Sequence, residues 1–282
     1  MFGERFLKDF DIVALQEMYS YGSSRQSRMV HFAKRNGFDY YVSSPSKSVF
    51  NTQYDGGLMI LSKYPIVRTE KMTFKKGGSG NDRLSARGAI YAKIALTSSF
   101  AIHVFTTHLS TGKRESDIMV RKSQVGMIKE FIDECTARKA SSEPIILMGD
   151  FSANARAGKS DGAHSKEYTA IKDILGGTDD TSPYNISDLV YEAYGEHPIT
   201  YGDIDGRTPK ETVLTCVEDL GAAASNDYIF WMNCVGEKRL NEEGSAYKIP
   251  ASSTHVERFL VAGLPFTQVS DHYGVSTTFS VV

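Results

Sequence analysis

Cysteine is scarce in this sequence of 282 residues: Cys135, Cys216 and Cys234 are odd in number and far apart. Such spacing offers neither a disulfide framework nor a zinc knuckle, so the three read as free buried thiols. Long apolar runs are missing as well. No stretch reaches the roughly 18–20 consecutive apolar residues of a membrane-spanning helix, and Met1 to Asp11 has no apolar core of a secretory signal. The expected compartment is therefore the cytoplasm or a membrane surface. Charge of one sign is also lacking, with 32 Lys and Arg against 34 Asp and Glu for a net charge of -2. That gives no general basic field for nucleic acid and leaves only local patches. Repeats, low-complexity blocks and linkers are absent, so residues 1–282 are expected to form a single domain.

What is present is an ordinary globular balance, 41% hydrophobic and 23% charged residues, enough to bury a large core. Short β-type runs alternate with helical stretches. "DIVALQE" (Asp11 to Glu17) is a continuous apolar run ending in a carboxylate, and "GLMILSKYPI" (Gly57 to Ile66) is a strand closed by a Tyr-Pro turn. "GAIYAKIAL" (Gly88 to Leu96) and "FAIHVFTTHL" (Phe100 to Leu109) predict a hairpin. From Ser116 to Lys139, Ile118, Val125, Ile128, Phe131 and Ile132 recur at helical spacing. "PIILMGDF" (Pro144 to Phe151) predicts a buried strand, Glu167 to Leu175 a short helix, and "DYIFWM" and "YGVSTTFSV" the last clear strands.

The chemistry-bearing residues share a position. Glu17, His108, Asp150, Asp227 and the adjacent pair Asp271 and His272 each lie at one end of a predicted strand. Strand ends in a layered α/β protein gather at a rim, where polar groups can converge on a cleft. One such acid is as readily a turn-former; six together point to a site.

At these residues the sequence resembles the endonuclease/exonuclease/phosphatase superfamily, through "ALQE", "TTHL", "MGDF", "NDYIF" and "SDHYGV" in that order over nearly the whole chain. The resemblance implies a DNase I-like α/β fold, a four-layer α-β-β-α sandwich of two packed mixed β-sheets flanked by helices. It implies Glu17 as a metal-binding glutamate with Asp271 near the metal, Mg²⁺ or alternatively Mn²⁺. His272 takes the place of the general base and Asp227 that of the acid orienting it, a pairing that fixes a tautomer and raises basicity. Asp150 would position the attacking water, His108 would donate to the phosphoryl oxygens, and Asp55 in "YDGGLMI" would orient that histidine.

Within the superfamily, "NDRLSARGAIYAKI" resembles neutral sphingomyelinases: Asp82 and Arg87-Gly88 keep their spacing, with arginine where lysine is usual, and arginine can grip a phosphate bidentately. "ESDIMVRKSQ" (Glu115 to Gln124) looks like the helix that follows their histidine motif. The implied reaction is phospholipase C-type cleavage of sphingomyelin or a related phospholipid at a membrane surface, with nucleic acid the lesser candidate substrate. Two departures stand beside it. "GDFSAN" has Ser152 where relatives carry asparagine, with Asn154 two residues on; both are candidate phosphate contacts. The family's first strand, which carries a metal-holding asparagine, is not found before "FLKDFDIVALQE", so either the sequence is a piece of a longer one or another segment or subunit is expected to cover its place. The alternatives are a degenerate member serving as a binding subunit, or a DNase I-like nuclease.

Overall fold

The computed structural model describes residues 6–45, 55–75, 85–136, 143–158, 163–176, 184–202, 223–234, 253–259 and 269–279. After a 3-10 turn at Leu7–Asp9 come β1 (Ile12–Leu15), α1 (Arg25–Arg35), β2 (Tyr40–Ser43), β3 (Met59–Ser62), β4 (Ile66–Thr73), β5 (Gly88–Ala95), β6 (Ala101–His108) and α2 (Glu115–Thr136). There follow β7 (Ile145–Asp150), α3 (Lys166–Leu175), β8 (Tyr184–Asp188), α4 (Leu189–Tyr194), β9 (Tyr201–Gly202), β10 (Ala223–Ala224), β11 (Asp227–Cys234), β12 (Thr254–Glu257) and β13 (Gly274–Thr277).

The centre is a six-stranded mixed sheet in the order β4-β5-β6-β7-β11-β8. Only β6 and β7 pair in parallel, and α2 makes the crossover that a parallel pair requires. The central strands read as unbroken apolar runs because both of their faces are covered. Tyr91, Phe105, Leu147, Tyr228 and Phe230 point to one face and pack with α2 and α3 through Val125, Ile128 and Ile171. Alternate residues Ile90, Val104, Ile146, Ile229 and Trp231 point to the other, against Val42 and Ile60 of the smaller sheet β1-β3-β2 and Leu58 just before β3. That sheet in turn turns Met59 and Leu61 toward Ala33 of α1. Helix, sheet, sheet and helix thus form the four layers expected. Phe230, Trp231 and Met232 are all buried, as a core strand requires.

Element by element, the hairpin, the long helix, the short helix and the strands at Met59, Ile145, Asp227 and Gly274 stand where the sequence placed them. The structure adds α1, β2, β4, β8, α4, β9, β10 and β12. β4 resumes directly after the Tyr-Pro turn as an exposed edge, so its charged residues hide a strand behind a polar pattern. Among the described residues β1 pairs with β3 alone and β13 with β12 alone, and every residue of both strands is only half-buried.

Candidate active site

Strand register builds the site. In the parallel pair His108 lies opposite Asp150, and in the antiparallel pair Asp150 lies opposite Asp227. Three strands therefore bring a histidine and two carboxylates abreast at one rim. Gly149, just before Asp150, allows this close approach: its φ is +140° and an added Cβ would stand 2.2 Å from the Thr107 carbonyl oxygen. A bridge from Tyr201 to His272 brings the C-terminal imidazole to the same rim. The side chain of Gln16 donates to the Thr106 hydroxyl, which ties the residue before Glu17 to the strand that ends in His108.

The side chains form one polar chain. His108 Nε2 is 3.1 Å from Asp150 Oδ2, His272 Nε2 is 3.9 Å from that same oxygen, and His272 Nδ1 is 2.9 Å from Asp227 Oδ2. Burial alone would disfavour the charged imidazole of His272, but Asp227 first and then Asp150 outweigh it and push the group up to about 10. Burial would raise Asp150 likewise, yet His108 and His272, with the Ser152 amide at 2.6 Å, hold it well below the usual carboxylate range. Burial raises Asp227 above that range, and His272 opposes the shift. The imidazole of His272 thus lies between the carboxyl groups of Asp227 and Asp150.

Other expected residues have partners that define their work. Both oxygens of Asp55 are engaged: one accepts from the Ser20 amide and hydroxyl and the Tyr21 amide, the other from the Gly57 amide. Asp55 therefore shapes the turn after Glu17 and does not orient His108. That histidine is held by Asp150, while its Nδ1 is buried and makes no hydrogen bond among the described residues. Arg87 is buried and donates from Nη1 to the Leu109 carbonyl at 2.5 Å, which braces the residue after His108. The amide oxygen of Asn154 accepts from the Arg156 and Ser225 amides, so it is a loop tie. Asp82 and Cys216 lie outside the described residues, and Cys135 is a free buried thiol as expected.

Glu17 and Ser152 are the two non-glycine residues with positive φ among those described, 58° and 48°. Such backbone is strained for a side chain bearing a Cβ, and both positions sit at the rim. The Glu17 carboxylate is exposed; Asp271 is exposed too, its carbonyl accepting from the Gly202 amide. Among the described residues, Asp150, Asp227 and His272 form a group able to hold a metal, their ligand atoms lying within 4.8 Å of one another. Tyr19 was not anticipated: burial raises its phenol, Arg87 works against that shift, and the ring lies near Ser85, Glu17 and Asp55. Nothing but proximity to Glu17 marks it in the sequence.

The family resemblance is borne out by comparison. Residues 4–272 match the Endonuclease/Exonuclease/phosphatase family. A sphingomyelinase of Dictyostelium discoideum is 32% identical over 335 residues, covering 98% of this chain and 72% of the relative. Among solved structures, a Staphylococcus aureus beta toxin variant with bound magnesium ions has a TM-score of 0.63 at 19% identity, covering 96% of this chain and 87% of that one. D. rerio TDP2 complexed with a single-strand DNA product has a TM-score of 0.64 at 17% identity, covering 98% and 88%.

Proposed function

Because the chain belongs to the endonuclease/exonuclease/phosphatase family, we propose that it is a divalent-metal-dependent phosphodiesterase of the phospholipase C type, cleaving sphingomyelin or a related phospholipid. The observation that carries the reading is the row His108, Asp150, Asp227 and His272 across one sheet rim, two buried carboxylates flanking one imidazole. The curated sphingomyelinase relative supports the lipid substrate. A DNA substrate is the second reading, favoured by the likeness to TDP2.

A divalent ion fits the donor set, since the rim offers the exposed carboxylate of Glu17 besides Asp150 and Asp227, and Mg²⁺ takes few protein oxygens while keeping several waters. When bound, such an ion polarises a phosphoryl oxygen and offsets developing charge. The protein's own residues do the rest. Asp227 holds the Nδ1 proton of His272 and so presents Nε2 to the cleft. Nε2 and the anionic Asp150 are 3.9 Å apart, so together they can orient a water for attack on phosphorus. To accept that water's proton His272 must first be neutral; as the cation it serves instead to donate to the leaving alkoxide. Arg87 and the Ser110 region fix the chain beside His108 so that the row keeps its geometry.

The test is a substrate panel with and without Mg²⁺: sphingomyelin and phosphatidylcholine in mixed micelles, and single-stranded and duplex DNA. The proposal expects metal-dependent release of phosphocholine from lipid. Cleavage of DNA alone would reassign the substrate.

A further inference from the structure

Between Asp227 and His272 runs a segment that the sequence pattern does not mark, Thr200 to Gly202, and its first side chain is fully buried. The Thr200 hydroxyl oxygen accepts from the Asn226 amide at 2.9 Å and from the Asp227 amide at 3.2 Å. The Asp227 carboxyl group lies by the same hydroxyl, which works against the upward shift that burial imposes on it. The backbone of the same residue is committed on both sides, its amide donating to the Ala224 carbonyl at 2.9 Å and its carbonyl accepting from the Tyr273 amide at 2.7 Å. One residue therefore holds the strand that carries the acid and the residue next to the imidazole. The neighbouring Tyr201 lays its ring 4.8 Å from that of His272, and the Tyr273 hydroxyl donates to the Gly202 carbonyl. A hydroxyl suits the place because it accepts two amides and still donates once, which no apolar residue of equal size can do.

We propose that Thr200 is a positioning residue for the reaction, acting through Asp227 to set the orientation of the His272 imidazole. The inference rests on the phosphodiesterase reading for its kinetic effect, and for its structural one on the hydrogen bonds that tie Thr200 to Asn226, Asp227, Ala224 and Tyr273. Replacing the hydroxyl with a methyl group leaves two buried amides without an acceptor and frees the carboxylate to turn. The imidazole then loses its fixed tautomer, while substrate binding, which does not involve Thr200, stays the same.

The experiment compares Thr200→Val and Thr200→Ser in the full chain. Two quantities are read: kcat and KM on bis-p-nitrophenyl phosphate with Mg²⁺, and the proton NMR signal of the His272 Nδ1–H in isotope-labelled protein. The expected result for Thr200→Val is a kcat lower by about tenfold, an unchanged KM and a weakened or lost Nδ1 proton signal, with Thr200→Ser restoring both. Should Thr200→Val not fold, Thr200→Cys, close in size and a weak hydrogen-bonder, takes its place under the same criteria. Unchanged kcat and signal in the valine variant would overturn the proposal. Equal loss in the serine variant would do so too, because it would assign the effect to the methyl group's packing. A wild-type protein inert on every phosphodiester would refute the enzymatic reading, and the Nδ1 signal would still decide the role of Thr200.

Discussion

Asp227→Asn separates the electrostatic part of the site from its shape. In the native protein Asp227 Oδ2 is 2.9 Å from His272 Nδ1, and the imidazole is pushed up to about 10 from its ordinary 6.5. A histidine raised in the folded state contributes stability that is fully present below about 6.5 and is lost as pH rises through about 10. Converted at 1.36 kcal/mol per unit, that difference sets a ceiling of ~5 kcal/mol. Asp227 is the largest of the three raising carboxylates, ahead of Asp150 and Asp271, so removing its charge removes the largest part of that ceiling. Urea unfolding without metal at about pH 6 and about pH 9 should therefore show the wild type losing stability toward the alkaline side, and Asp227→Asn losing much less. In the same variant kcat should fall about 100-fold, because an amide that donates to Nδ1 favours the wrong tautomer. A variant with the wild-type pH dependence of stability and the wild-type kcat would refute the reasoning.

Glu17→Gln should leave folding unchanged, since that carboxylate is exposed, and should raise the Mg²⁺ concentration for half-maximal rate by about tenfold; a metal titration of the rate decides it. Ser152→Asn should raise the thermal midpoint slightly, by roughly 0.5 kcal/mol in stability, because asparagine tolerates the φ of 48° better than serine does. A lower midpoint would contradict the claim of strain there. Arg121 is buried, bonded twice to Glu167 at 2.6 and 3.0 Å and once each to the Ser110 and Gly112 carbonyls at 3.1 and 2.8 Å. Arg121→Met should cost about 3 kcal/mol in urea unfolding, and a loss under about 1 kcal/mol would show the clamp to be dispensable.

The parts of the fold legible in the sequence were those whose burial leaves a pattern. β5, β6, β7 and β11 are covered on both faces, so they read as apolar runs, and α2 repeats at helical spacing because one side faces the core. β4 was hidden because an edge strand is written in charges, and β2 because Tyr40 and Tyr41 face outward. The rim acids and histidines were legible from position alone, and the register then placed His108, Asp150 and Asp227 side by side. What position could not supply was the choice of partner. Asp55 is two residues from Gly57 in sequence and bonds its amide and the turn at Ser20, a local tie that resembles a catalytic carboxylate until its bonds are traced. Thr200 and Tyr201 were invisible for a related reason, since a threonine and a tyrosine become part of a site only through what folds against them.

The most direct test of one metal-dependent site at this rim is hydrolysis of bis-p-nitrophenyl phosphate by wild type, Asp150→Ala and His272→Ala, each with Mg²⁺ and with a chelator. Metal-dependent turnover by the wild type, abolished by the chelator and lower by about 100-fold or more in both folded variants, is the result this account predicts. Full activity in either folded variant, or wild-type turnover indifferent to the chelator, would contradict it.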